Sequence, residues 1–170
     1  MSTDRREFLR MGALAALGVF GVAGARVLGA QQGQRAQQAL PSMTIYKSAS
    51  CGCCKLWVDH VKGAGFTVRE VNTEDLSSVK RELGVPPRLG SCHTVAVGGY
   101  IIEGHVPADD VKRLLRDRPA GVRGLAVPGM PLGSPGMEQG PPSQYQRYQV
   151  MAFTAAGATS VFATHGPPAR

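Results

Sequence analysis

Apolar and polar residues alternate along this chain in a pattern that predicts a mixed domain of class α/β (α+β). Strict alternation over 43–48 and 66–72 predicts two strands, because successive side chains of a strand point to opposite faces. Between them, the apolar residues of 53–65 recur at helical spacing and stop at a pair of glycines. The remaining predicted elements are a helix over 76–84 capped by Thr73 or Asp75, a hairpin over 93–106 turning at Gly98-Gly99, and a helix over 107–117 opened by Pro107. The predicted order is therefore β-α-β-α-β-β-α.

Beyond the last predicted helix the pattern changes, and two further segments are predicted. Residues 119–147 are rich in Gly and Pro and hold Met130 and Met137. This composition is typical of a flexible linker, but the repeated Pro-Gly-Met and its apolar lead-in favour an ordered irregular loop. Residues 148–170 contain two β-prone runs about a Gly-containing turn, which predicts a hairpin over 148–165 and a short tail. The hairpin could extend the sheet or pack over a site.

The first 25 residues, 1–25, are typical of a bacterial export signal. Arg5-Arg6 precede Phe8-Leu9 and an uncharged run over 11–25 that ends in Ala-Gly-Ala, a small-residue cleavage pattern. That run of 15 residues is shorter than the roughly 20 that span a bilayer, so a short uncleaved anchor is the weaker interpretation. Paired arginines with Phe-Leu resemble a twin-arginine signal, which directs folded proteins to the periplasm. The Gln- and Ala-rich composition of residues 26–42 then predicts a flexible linker.

The net charge of the chain, +7 over 170 residues, does not by itself indicate a nucleic-acid partner. Residues 43–138 carry 12 Lys and Arg against 10 Asp and Glu, so the predicted folded region has a net charge of only +2. Nucleic-acid-binding surfaces cluster their basic residues, usually with aromatic side chains between them, and the sequence has no such stripe. The basic residues of 112–118 are interpreted as a solvated helix face.

Three of the four cysteines lie within "SASCGCCKLW", residues 48–57, and their spacing fits more than one chemistry. Cys51 and Cys54 form the C-x-x-C pair of a dithiol redox site. Cys51, Cys53 and Cys54 together also suit ligation of a soft metal by shared sulfurs. In an oxidising compartment, four cysteines could instead form two structural disulfides, although adjacent Cys53 and Cys54 are unusual in such frameworks.

The position of these cysteines at the start of a predicted helix favours thiolates, because the helix dipole and the unpaired N–H groups stabilise negative charge. Side chains at successive helical positions diverge by about 100°. Cys53 and Cys54 can therefore each reach a different metal ion while Cys51 bridges between them. This arrangement favours a polynuclear thiolate-bridged cluster, which Cu(I) forms readily because it accepts two or three sulfur ligands. Zinc prefers two separated C-x-x-C pairs, and the spacing does not match the ferredoxin patterns of iron–sulfur clusters.

The element order and the cysteine motif together resemble the thioredoxin-like fold over residues 43–118. In that fold, the segment entering the third strand passes beside the C-x-x-C turn, usually through a cis-proline. Here this segment reads "GSCHTVAV" and holds Cys92 and His93 in place of proline. The missing proline weakens the oxidoreductase interpretation, and the resemblance implies that the fourth sulfur lies beside the other three.

Methionine and histidine extend the candidate site. Met130 and Met137 carry thioethers, which are good ligands for Cu(I) and poor ones for Zn(II), although both could simply fill apolar gaps. His105 lies in "EGHVP", between a predicted strand and a predicted helix, where it can turn towards a site. For His105, and for His93 beside Cys92, the sequence alone favours a structural or exposed role, and only His105 is included among the expected metal ligands.

Four motifs in the predicted folded region form a specific set. They are C-G-C-C (51–54), S-C-H-T (91–94), G-H-V-P (104–107) and V-P-G-M-P-L-G-S-P-G-M-E (127–138). With the hairpin that follows, this set resembles the bacterial family catalogued as domain of unknown function number 411, the CopG-like periplasmic copper-resistance and metal-binding proteins. The resemblance implies a thioredoxin-like core, a cysteine-bridged multi-copper cluster and a role in copper tolerance. It implies metal ligation by Cys51, Cys53, Cys54 and Cys92, and the motifs that hold His105, Met130 and Met137 match as well.

We therefore expect a periplasmic copper-binding protein that holds several Cu(I) ions in a cysteine-bridged multinuclear cluster and contributes to copper resistance. Interconversion of Cu(I) and Cu(II) is an extension of this role, and a metal-binding protein is favoured over a classical enzyme. The alternative is a thioredoxin-like thiol–disulfide oxidoreductase that uses Cys51 and Cys54. Expected partners are copper ions and other periplasmic copper-handling proteins, without nucleic acid, and with membrane contact only through an uncleaved signal segment.

Overall fold

One mixed sheet forms the centre of the protein. The computed structural model describes residues 39–167, so the predicted signal segment and most of the predicted linker lie outside the described residues. The elements in chain order are β1 (Met43–Lys47), α1 (Gly52–Gly63), β2 (Val68–Asn72), α2 (Leu76–Glu82), β3 (His93–Val97), β4 (Tyr100–Glu103), α3 (Ala108–Asp117), β5 (Val122–Ala126), β6 (Tyr148–Thr154) and β7 (Thr159–His165), with short 3-10 turns at Pro87–Leu89 and Pro142–Gln144.

The strands lie side by side in the order β2-β1-β3-β4-β5-β6-β7. The β1–β2 and β4–β5 pairs are parallel, and the other neighbouring pairs are antiparallel. The predicted mixed α+β class is confirmed. Among the described residues, none of the helices has both the length and the apolar character that crossing a membrane requires.

Alternation along the strands divides the apolar side chains between the two faces of the sheet. On one face, Ile102 belongs to a large core that includes Trp57 of α1 and Leu114 of α3. On the other face, its neighbour Ile101 belongs to a smaller core with Leu89, from the turn that follows α2. The sheet is therefore covered on both faces, and α1 and α3 share one of them.

Strand β5 lies inside the segment 119–147, which the composition predicted to be an irregular loop. It forms because its apolar end has partners on both sides: β5 pairs with β4 and with β6, and Leu125 and Ala126 are fully buried. Gly124 permits the close pairing, since a Cβ at this position would overlap the carbonyl oxygen of Ile101.

Helix α2 starts as predicted and ends earlier than predicted. Of the two candidate caps, Asp75 has the role, because its Oδ1 accepts a hydrogen bond from the Ser78 N–H at 3.0 Å. The helix ends at Glu82 and not at Gly84. Gly84 has a φ of +73°, a left-handed conformation that terminates a helix.

The loop after β5 folds back onto the first turns of α1. Gly136 approaches the α1 backbone so closely that a Cβ there would lie 2.8 Å from the Cys53 carbonyl oxygen and 2.8 Å from the Trp57 nitrogen. Its φ of +82° is also one that residues with a Cβ rarely adopt. Glycine at this position therefore lets the Pro-Gly-Met segment lie against the helix that carries Cys53 and Cys54.

We predict that Gly136→Ala lowers the free energy of unfolding by about 3 kcal/mol, the sum of left-handed strain and a backbone overlap. Gly129→Ala is the matched control, because Gly129 also has a positive φ, of +69°, but has open space around its Cα. This control should lose only the strain, about 1–2 kcal/mol. Urea denaturation measures both variants, and equal losses would contradict a tight contact between the loop and α1.

Candidate metal centre

The sheet brings two distant cysteine segments together. Lys47 at the end of β1 pairs with His93 at the start of β3. Cys51 therefore follows β1 at the same edge of the sheet at which Cys92 precedes β3. The cysteines whose sulfurs all lie within 4.8 Å of one another are Cys51, Cys53, Cys54 and Cys92.

The spacing of the sulfurs matches that of ligands around a shared ion. The Cys51 and Cys53 sulfurs are 3.6 Å apart, and the Cys53 and Cys92 sulfurs are 3.9 Å apart. Two sulfurs bound tetrahedrally at about 2.3 Å from one ion lie about 3.8 Å apart. Little rearrangement is therefore needed for Cys53 to share an ion with either neighbour.

Cys51 and Cys54 are joined in a disulfide, whereas Cys53 and Cys92 are free thiols. The structure thus shows the oxidised form of the C-x-x-C pair and not the two structural disulfides considered from the sequence. Thiolates, and not disulfide sulfurs, are the strong metal ligands. A cluster that uses all four cysteines therefore requires reduction of this bond by two electrons and two protons.

His105 has a fixed tautomer that directs a lone pair at the sulfur group. Its Nδ1 is 2.7 Å from the Pro135 carbonyl oxygen, which can only accept a hydrogen bond, so Nδ1 carries the proton. Its Nε2 lies 3.0 Å from the Cys92 sulfur. A second-sphere carbonyl commonly orients ligating histidines in this way. The sequence predicted His105 near the site, and the structure places it there.

His93, which is not among the predicted metal ligands, also lies beside Cys92. Its Nδ1 is 3.3 Å from the Cys92 sulfur, and its ring packs between Trp57 and His105 at centroid distances of 4.6 and 5.0 Å. The ring is fully buried. The sequence signal for this residue is the Cys-His doublet at 92–93, but the doublet alone does not show that the ring faces the same sulfur as His105.

Burial determines the protonation of these groups. It raises the pKa of the Cys92 thiol to about 12, and the adjacent Cys53 adds to the rise. Burial also lowers the pKa of His93 well below its usual range and lowers the pKa of His105. Both imidazoles are therefore neutral near pH 7 and can offer lone pairs, whereas Cys92 must lose its proton when a metal binds.

The two predicted methionines have different positions. The Met130 sulfur is 4.0 Å from the Cys53 sulfur, and the side chain is about half exposed, at 51%. Met137 is partly buried, and its backbone closes the loop by bonding to Gly133 and Ser134. Within the described chain, the Met137 sulfur makes no hydrogen-bond-range contact with the cysteines. The structure therefore brings Met130 to the sulfur group and leaves Met137 outside its immediate contacts.

A buried carboxylate holds the backbone in front of Cys92. Glu103 accepts the Ser91 N–H at 2.6 Å, the Thr94 hydroxyl at 2.6 Å and the Lys80 ammonium at 2.5 Å. The Ser91 hydroxyl in turn donates to the carbonyl of Gly129, which precedes Met130. Burial raises the pKa of the Glu103 carboxyl, and the Lys80 charge opposes that rise. The network therefore links the Cys92 segment to the methionine loop.

Comparisons with known proteins point to one family. Residues 89–137 match the family model described as "Protein of unknown function, DUF411". Two solved structures, titled copper resistance protein CopG in forms 1 and 2, are each 44% identical to this chain with a TM-score of 0.69. The alignments cover 75% and 74% of this chain, and 99% and 98% of those chains. No curated protein matches the sequence.

We predict that Lys80→Met lowers the free energy of unfolding by about 3 kcal/mol or more, because Glu103 then remains buried without its cation. Lys112→Met is the control, since its ion pair with the exposed Asp109 spans 4.0 Å and should contribute less than about 1 kcal/mol. Urea denaturation at pH 7 compares the two variants. Equal, small losses would show that Glu103 is uncharged in the folded protein.

Proposed function

This chain belongs to the DUF411 family of CopG-like copper resistance proteins, and on that premise we propose that it binds Cu(I) in the periplasm and contributes to copper resistance. The observation that carries the proposal is the convergence of four cysteine sulfurs within 4.8 Å. Soft thiolate and thioether ligands select Cu(I) over harder ions. The partners proposed are copper ions and other periplasmic copper-handling proteins.

The sulfur geometry supports a multinuclear cluster as the bound form. Cys53 is near enough to share an ion with Cys51 on one side and with Cys92 on the other, at 3.6 and 3.9 Å. Bridging thiolates let four cysteines serve more than one ion. The proposed ligands are Cys51, Cys53, Cys54, Cys92, His105, Met130 and Met137.

The order of strands supports a thioredoxin-like core over residues 43–118. Strands β2-β1-β3-β4 are contiguous, with a parallel β1–β2 pair and antiparallel β1–β3 and β3–β4 pairs. We propose that 119–147 and 148–170 are family-specific additions, because β5, β6 and β7 extend the same sheet beyond this core.

Interconversion of Cu(I) and Cu(II) is a further part of the proposal. The Cys51–Cys54 pair provides a balanced reaction: the reduced dithiol transfers two electrons to two Cu(II) ions, which yields two Cu(I) ions, the disulfide and two protons. The disulfide between these residues is the product side of that reaction. Buffering of Cu(I) requires no such step.

The same disulfide favours a second candidate function, thiol–disulfide exchange by Cys51 and Cys54. The pair lies at the start of α1, where such redox pairs are commonly found. This function requires that Cys51→Ser abolishes disulfide reductase activity and that Cys53→Ser retains it. In a copper cluster with bridging sulfurs, by contrast, either substitution lowers the copper content.

We predict that protein reduced and purified without oxygen from copper-fed cells contains more than one copper per chain. Its four thiols should resist a thiol reagent until a chelator removes the metal, because each sulfur is a ligand. Elemental analysis and thiol titration measure both quantities. Cys92→Ser should lose at least one copper per chain, since Cys92 lies within reach of both Cys53 and His105. Absence of copper from the reduced protein, with Cys51 and Cys54 forming a disulfide once an oxidant is added, would contradict the copper function and support thiol exchange.

The two methionines allow a matched comparison. Because only Met130 has its sulfur beside Cys53, Met130→Leu should weaken Cu(I) binding more than Met137→Leu. We expect a loss of about tenfold for Met130→Leu, equal to about 1.4 kcal/mol of one metal–ligand contact. Competition with a Cu(I) chelator measures both affinities. Equal losses would assign a ligand role to both residues, and no loss in either would remove thioethers from the ligand set.

Export is tested through the N-terminal sequence. Arg5→Lys combined with Arg6→Lys should leave the full-length protein in the cytoplasm, because a twin-arginine signal is read by its receptor. Cell fractionation followed by immunoblotting shows the location. The substitution preserves charge, so periplasmic protein in the double variant would contradict the twin-arginine route.

A further inference from the structure

The sulfur–nitrogen group formed by Cys92, His93 and His105 is separate from the disulfide. Its three ligand atoms lie within 4.8 Å of one another. The Cys92 sulfur is 3.0 Å from His105 Nε2 and 3.3 Å from His93 Nδ1. A sulfur about 2.3 Å and a nitrogen about 2.0 Å from one ion lie roughly 3.5 Å apart at a tetrahedral angle, so the group is close to the spacing of a bound ion.

His93 is poorly explained as a core residue. Its side chain is fully buried, yet Nε2 has no hydrogen-bond partner among residues 39–167. Buried polar atoms are nearly always paired, and an unpaired one costs about 1–3 kcal/mol. An apolar side chain would fill the space against Trp57 without that cost. Besides the Gly104 backbone, the polar group that the ring faces is the Cys92 sulfur, 3.3 Å from Nδ1, which indicates that His93 serves what binds there.

The free thiol of Cys53 adjoins this group through Cys92 and is not itself within 4.8 Å of all three of its ligand atoms. Its sulfur is 3.9 Å from the Cys92 sulfur, which is near the spacing of two sulfurs on one ion. None of these four residues takes part in the disulfide between Cys51 and Cys54. The cysteine and histidine donors that remain after oxidation are therefore two sulfurs and two imidazoles, and the Met130 thioether also lies beside Cys53. Copper accepts all three kinds of ligand.

We propose that Cys92, His93 and His105 hold one copper ion while Cys51 and Cys54 are disulfide-bonded, with the Cys53 thiol beside the sulfur ligand of that ion. This inference rests on the proposed copper-binding function and deepens it. When two Cu(II) ions accept two electrons from the Cys51–Cys54 dithiol, the products are the disulfide, two Cu(I) ions and two protons. This oxidation then lowers the number of bound copper ions from several to one without emptying the protein. The retained ion has nitrogen ligands, which the all-cysteine part of the cluster lacks.

The test uses the folded protein with its disulfide intact, as verified by mass spectrometry. Cu(I), supplied anaerobically as its acetonitrile complex, is titrated against a chromophoric chelator. We expect one copper per oxidised chain, with an X-ray absorption spectrum that shows imidazole nitrogen as well as sulfur. His93→Gln and His105→Gln should each weaken this binding at least about tenfold, since loss of even a residue that orients a ligand has that effect.

His60→Gln is the control, because His60 lies on the exposed part of α1 and accepts a hydrogen bond from the Ala108 N–H. It should leave copper binding unchanged. The spectrum of the unsubstituted protein provides the decisive result even if a buried histidine variant fails to fold. Sulfur-only ligation, or displacement of the copper by equimolar Zn(II), would overturn the inference.

The two proposals fail in different ways. If the reduced protein binds several copper ions and the oxidised protein binds none, the proposed function stands and the mononuclear site is wrong. If neither form binds copper, both proposals are wrong.

Discussion

The antiparallel pairing of β1 with β3 determines where every candidate ligand lies. It places Lys47 opposite His93, so the chain leaves β1 and enters β3 at the same edge of the sheet. The C-G-C-C turn and the Cys-His doublet are attached directly to these two strand ends. Hydrogen bonds between the strands thus keep sulfurs that are 39 residues apart, those of Cys53 and Cys92, within 3.9 Å.

The surrounding structure supports this edge at a cost in stability. Glu103 is buried to hold the backbone of Ser91, and His93 is buried with an unpaired nitrogen. Each would be replaced by an apolar residue if packing alone mattered. A buried imidazole beside the Cys92 sulfur, with a buried carboxylate that holds the backbone in front of it, is typical of a binding site. The large apolar core under α1 and α3 offsets their cost.

Two chemistries compete for the same sulfurs, and the structure separates them by position. The disulfide occupies Cys51 and Cys54, on the α1 side of the centre. The histidines and Cys92 lie on the β3 side. There His105 donates its Nδ1–H to the Pro135 carbonyl, which orients its Nε2 lone pair, and the two imidazole rings pack against each other. Cys53 lies between the two groups. Oxidation of Cys51 and Cys54 therefore removes two sulfur ligands and leaves Cys53, Cys92 and the two histidines available to a metal.

The sequence by itself determined the elements and the local part of the centre. Alternation and helical spacing predicted the strands and helices up to α3 and the final hairpin, and Cys51, Cys53 and Cys54 are close simply because they share one turn. It did not reveal β5, whose formation depends on neighbouring strands that hydrogen-bond to it. The approach of Cys92 could be inferred only from the resemblance to known folds. The tertiary structure alone showed that His93 faces this sulfur and that Met130, not Met137, reaches Cys53. Most of these contacts join residues that are far apart in the chain. They form only because the loop after β5 packs against α1 and because β1 pairs with β3.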